Sequence, residues 1–81
     1  MLLDIIETKY LRDFTVWVKF ENGTEGEIDL SDQLYGPMFE PLREVSYFRQ
    51  VIVDPDLGTI CWPNGADFAP EFLYEQVHAH A

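Results

Sequence analysis

The stretch "FTVWVKFENGTEGEIDL", residues 14–30, narrows the choice of fold more than any other part of the chain. Phe14, Val16, Val18 and Phe20 alternate with Thr15, Trp17 and Lys19, the period of a strand with one buried face. After Glu21-Asn22-Gly23 the alternation resumes, with Gly26, Ile28 and Leu30 set against Glu25, Glu27 and Asp29. Two such runs joined by Asn-Gly form a hairpin, and the side chains decide its register. A two-residue Asn22-Gly23 turn would put Val18 opposite Glu27 and Phe20 opposite Glu25, mixing apolar and charged groups on one face. A three-residue loop, a type I turn closed by a left-handed glycine, sets Phe20 against Thr24, Val16 against Ile28 and Phe14 against Leu30. The second register is the expected one. It places Lys19 beside Glu25 and Trp17 beside Glu27 on the outer face, as cross-strand pairs.

The rest of the chain is built around this hairpin. Residues 2–11, rich in Leu, Ile, Thr and Tyr, read as a preceding strand. Ser31 has the character of a helix N-cap with Asp32 in the first turn, and Gly36-Pro37 ends that helix almost at once. Met38, Phe39, Leu42, Val45 and Phe48 recur at roughly helical spacing as a core stripe. Pro41 interrupts them, so two short helical turns are expected rather than one rod. "VIV" at 51–53 and "TICW" at 59–62, joined by "DPDLG", make a second hairpin. Pro70 opens a final helix with Ala69 or Asp67 as its cap. Ala69, Phe72, Leu73, Gln76 and Val77 share its inner face, and Glu71, Glu75 and His78 face water. The fold class is therefore α+β in two layers: a small antiparallel sheet of about five strands in the order β-β-β, short helical turns, β-β, C-terminal helix.

Eighty-one residues form a single domain, 1–81. A core of that size leaves only about 3–5 kcal/mol of stability, so association with another chain is a natural source of more. Five basic residues, Lys9, Arg12, Lys19, Arg43 and Arg49, stand against fifteen acidic ones, for a net charge of −10. Phosphate backbones need clustered Lys and Arg, so direct nucleic-acid binding is not expected, and the same field repels an anionic membrane. It favours a basic protein partner; the alternative is that acidity simply keeps a small protein soluble. Cys61 is the only cysteine, which excludes an internal disulfide and suits a reducing compartment. The opening "MLLDIIETKY" carries Asp4 and Glu7 and lacks a basic flank, so neither a signal peptide nor a membrane span is expected, and the cytoplasm is the expected location.

Most site chemistries fail on spacing. Aligned to a calcium loop from Asp54 and Asp56, the chain offers Thr59 where a glycine is obligatory and Gly65 where the bidentate Glu belongs. His78 and His80 point to different sides of a helix and have no cysteine partner, a weak zinc arrangement. No serine or cysteine is placed against a base, and the glycines match neither phosphate-cradle pattern. No catalytic residue, metal or cofactor is expected.

One motif stays open between structure and function. In "CWPNGADFAP", Trp62 precedes a proline, Pro63 presets a turn, and Asn64-Gly65 suits positive φ. Asp67 can accept backbone N–H groups at the last helix. The functional alternative has Trp62 and Asn64 partly exposed, presenting an aromatic anchor and a two-way hydrogen-bonding group to a partner.

The segments "YLRDFTVWVKFENGTEGEIDLS" and "GPMFEPLREVSYFRQVIVDPDLGTICWPNGADFAPEFLY", in this order, resemble a family of short bacterial domains, domain of unknown function twenty-four forty-two. The resemblance runs from about Asp4 to Tyr74 and is most specific from Val53 through Trp62-Pro63-Asn64-Gly65-Ala66-Asp67. It implies a small α+β domain and carries no catalytic residues, because no activity is established for the family as a whole. Members similar to this chain often lie beside another small protein gene in arrangements suggestive of toxin and antitoxin pairs. Some longer members carry a helix-turn-helix after this domain; with the sequence ending at Ala81, none is expected here.

The expectation is thus a non-catalytic, antitoxin-like interaction module, with contacts at Glu25, Glu27, Asp29 and the Trp62 corner. A small-ligand binder or enzyme using Trp62, Asn64 and Asp67 is the alternative. Self-association through exposed strand edges is a third.

Overall fold

A computed structural model describes residues 3–79. The elements are β1 (Ile5–Arg12), β2 (Thr15–Phe20), β3 (Glu25–Asp29), 3-10 turns at Ser31–Gln33 and Glu40–Arg43, α1 (Val45–Phe48), β4 (Ile52–Asp54), β5 (Thr59–Cys61) and α2 (Pro70–Ala79). This is a small α+β fold. The strands divide into an antiparallel sheet β1-β2-β3 and a two-stranded hairpin β4-β5. The two are stitched by the Ile5 N–H donating to the Gly58 carbonyl at 2.9 Å.

The register of the first hairpin is the one its side chains dictate. Val16 faces Ile28, Trp17 faces Glu27 and Lys19 faces Glu25. The Phe20 N–H donates to the Thr24 carbonyl at 2.7 Å, and the Gly23 N–H to the Phe20 carbonyl at 2.9 Å, which closes a three-residue loop. Gly23 takes φ +91°, the left-handed region that glycine enters without a Cβ clash. A one-residue slip would turn charged residues of β3 toward the core.

Val16, Val18, Phe20, Ile28 and Leu30 form one wall of the core and are fully buried. Leu42, Phe48, Ile60, Trp62 and Leu73 meet them. Helix α2 runs along β3, where the Val77 side chain occupies the space a side chain at Gly26 would need; a Cβ there would lie 3.0 Å from Val77 Cγ1. Glycine at 26 thus lets helix and strand approach closely.

Three local expectations are corrected. Ser31 does not cap a helix: its own N–H donates to Asp29 Oδ1 at 2.9 Å, and Leu30 holds the cap position. An Asx turn at Asp29 satisfies that backbone group first, leaving the serine hydroxyl without the capping task. The helical stripe is broken as Pro41 demands, but only Leu42 and Phe48 are buried; Phe39 is half-buried, and Met38 and Val45 are exposed. Two short turns do not keep the angular phase of a single helix, so the spacing no longer marks one face. In α2, Leu73 and Val77 are buried, whereas Ala69 is exposed, its carbonyl accepting the Leu73 N–H at 3.2 Å. It sits at the N-cap position, before the helical face begins. His80 lies outside the described residues, as does the side chain of His78.

Candidate functional site

The Trp62 corner repeats the turn of the first hairpin. The Gly65 N–H donates to the Trp62 carbonyl at 2.9 Å and the Trp62 N–H to the Ala66 carbonyl at 3.0 Å, the same pair of bonds that Phe20 makes with Gly23 and Thr24. Asn64 Oδ1 accepts the Ala66 N–H at 3.0 Å, as Asn22 Oδ1 accepts the Thr24 N–H at 3.0 Å. Gly65 takes φ +89°. The strand pairing then extends one step further through a bridge between Cys61 and Asp67. Pro-Asn-Gly and Glu-Asn-Gly build the same three-residue loop, because both place an Asx-turn former ahead of a left-handed glycine.

Trp62 is no surface anchor. It is 2% exposed and donates its indole N–H to the Phe48 carbonyl at 2.8 Å. Its ring packs against Phe48 and Phe68, with centroids at 5.5 and 5.9 Å. The structural reading of this corner holds for Trp62 and the alternative of a partly exposed tryptophan fails, because a large aromatic with one donor is satisfied inside as soon as a carbonyl is in reach. Asn64 is exposed, but both ends of its amide are engaged, Nδ2 donating to the Met38 carbonyl at 2.9 Å. Asp67 is exposed, and its carboxylate takes no capping bond from α2 among the described residues.

Asp67 instead borders a cleft of about 250 Å³ lined by Gln33, Tyr35, Phe39, Phe68 and Phe72. Phe68 lies between Phe39 and Phe72, with centroids 4.9 and 5.8 Å away, and Tyr35 is 70% exposed. Nothing in the sequence pattern marks these aromatics as a group, because they come from two distant stretches, 33–39 and 67–72, joined only by the fold. The nearby Cys61 thiol is pushed above its ordinary range, first by burial and then by the Asp54 and Asp67 carboxylates. A protonated, buried thiol is a poor nucleophile. Among the described residues, no group of three or more His, Cys, Asp or Glu side chains is placed to hold a metal ion.

Glu25, Glu27 and Asp29 do come together, exposed along β3. They border a cleft of about 780 Å³, with Arg12, Asp13, Phe14, Thr15, Gly26 and Val77 also on its walls. Arg12 Nη2 reaches Glu27 Oε1 at 3.0 Å, and Lys9 sits 5.6 Å from the centre of the Trp17 ring. Charge is therefore graded across the sheet. Lys9, Arg12 and Lys19 lie on β1 and β2, and β3 carries only carboxylates. Residues 50–81 contain no Lys or Arg at all.

No helix among the described residues is long and apolar enough to cross a membrane. Neither a curated protein nor a solved structure matches the chain. A family model does, across residues 5–79, from the first residue of β1 to the last of α2. The chain therefore belongs to the family described as protein of unknown function (DUF2442).

Proposed function

We propose that this domain is a non-catalytic, antitoxin-like interaction module of the cytoplasm whose acidic surface engages a basic partner protein. The supporting observation is the exposed row Glu25, Glu27 and Asp29 along a cleft of about 780 Å³, on a chain of net charge −10. Such a row attracts a basic surface over about a Debye length, some 8–10 Å at ordinary salt, and orients its approach. Burial of the one thiol, on a residue 8% exposed, fits a role without covalent chemistry.

A second reading, a small-ligand binder, loses Trp62 and retains Asp67. Its support is the aromatic cleft, which has one carboxylate on its rim. Both readings are tested by affinity purification of the tagged chain from its source cells at low salt, run beside a Glu25→Lys, Glu27→Lys double variant. Asp29 is left intact because its carboxylate holds the Ser31 N–H. A stoichiometric basic protein, retained by the natural chain, released by salt and lost from the variant, is the expected result. The same protein retained equally by the variant removes the β3 carboxylates from the contact. Recovery of the chain alone with a small molecule moves the site to the Asp67 cleft.

A further inference from the structure

Among the described residues, strand β3 is the last strand of its sheet, hydrogen-bonded to β2 on one side only. Its bonding phase follows from two contacts: the Phe20 N–H donates to the Thr24 carbonyl and the Leu30 N–H to the Phe14 carbonyl. In an antiparallel ladder hydrogen-bonded pairs alternate with non-bonded ones, so Gly26 and Ile28 direct their N–H and C=O groups at β2. The backbone groups of Glu25 and Glu27 therefore point the other way, away from β2; both residues also line the large cleft. An edge of this kind is a template for one more strand.

The side chains select which strand. In a β pair, residues directly opposite share a face. Residues of an incoming strand that bond to Glu25 and Glu27 would lie beside two carboxylates, and their neighbours would lie toward Val77 and Phe14, also on the cleft wall. A second copy of β3 is a poor occupant, because twofold antiparallel pairing sets Glu25, Glu27 and Asp29 against the same carboxylates, and like charges opposite one another destabilise the pair. We infer that the β3 edge accepts a β-strand of a partner protein that alternates basic and apolar side chains. This rests on the reading of the domain as an acidic interaction module and specifies how contact is made.

The test separates backbone from charge. Glu27→Gln and Glu27→Pro both remove the carboxylate and its Arg12 partner, but only the proline removes the outward N–H. No ladder bond to β2 is lost in either, so both variants should retain the fold, checked by circular dichroism; Glu25→Gln and Glu25→Pro form a second pair by the same logic. The probe is a capped heptapeptide of alternating lysine and valine, titrated at low salt into the full ¹⁵N-labelled chain. The expected result is slowed hydrogen exchange at the Glu25 and Glu27 amides, with Gly26 and Ile28 unchanged. Glu27→Pro should bind about tenfold more weakly than Glu27→Gln, the worth of one backbone bond. Equal binding by the two variants, without slowed exchange at 25 and 27, overturns strand addition and leaves the acidic-surface reading standing. No binding to the natural chain also overturns it, as does equal binding of a glutamate and valine peptide; the double charge reversal above tests the wider reading independently.

Discussion

Replacing Trp62 by phenylalanine tests whether this residue belongs to the core or to a contact surface. The ring is 2% exposed and its indole N–H bonds the Phe48 carbonyl at 2.8 Å. That bond contributes about 0.5–1.5 kcal/mol net. The Phe48 carbonyl keeps a second donor, the Val51 N–H at 3.2 Å, so its desolvation cost is not fully exposed by the change. Shortening the ring leaves a void between Phe48 and Phe68 that costs about 1–2 kcal/mol more. The expected loss is therefore about 2–3 kcal/mol, a large part of what a core of this size supplies. Alanine at the same position would cost about 3–5 kcal/mol and should leave the chain unfolded. The assay is urea unfolding followed by far-ultraviolet circular dichroism. In a Trp17→Phe background, Trp62 fluorescence serves as a second probe, since the chain has two tryptophans. A loss below about 0.5 kcal/mol, the range of ordinary surface changes, together with water-exposed emission from Trp62, would refute the burial argument.

Other substitutions check separate parts of the structure. Gly58 sits at φ +69° with Asp4 in the space a Cβ would take, so Gly58→Ala should cost about 1–2 kcal/mol, read as a lowered urea midpoint. Asn64→Ala removes both the Met38 and Ala66 contacts, and should destabilise by about 1 kcal/mol. The raised Cys61 pKa means that the unfolded chain releases its thiol proton first, so stability is retained below the ordinary value of 9.0 and falls as pH rises past it. In Cys61→Ala that part of the alkaline decline should vanish, and in the natural chain alkylation of the thiol should be slow until the protein unfolds. Equal alkaline slopes in the two proteins would contradict the burial of this thiol.

What could be read from the sequence depended on the range over which each signal acts. The first hairpin's register followed from alternation plus one Asn-Gly, because a slip would have turned Glu25 or Glu27 inward. The final helix was marked by Pro70 and its apolar positions. The division of five strands into two sheets was not legible, since the stitch between Ile5 and Gly58 is a backbone contact between distant segments. At the candidate site, exposure was the failing point. Glu25, Glu27 and Asp29 were assigned outward by parity alone and are exposed. Trp62 was judged by its loop, and its burial comes from Phe48 and Phe68, neither of which the motif contains. Tyr35, Phe39 and Phe72 carried no signal as a group because no period links them.

The stitch at Gly58 also sets an order of assembly. Hairpin β2-β3 and hairpin β4-β5 each close over a short loop and can form within microseconds of becoming available. The Ile5 to Gly58 bond joins the first strand to the second hairpin across most of the chain, so its closure costs more chain entropy than either hairpin does. A ribosome emits Ile5 early and Gly58 late. During that interval the start of β1, with Ile5 and Ile6 in sequence, has β2 on one side and lacks its contact with the second hairpin on the other.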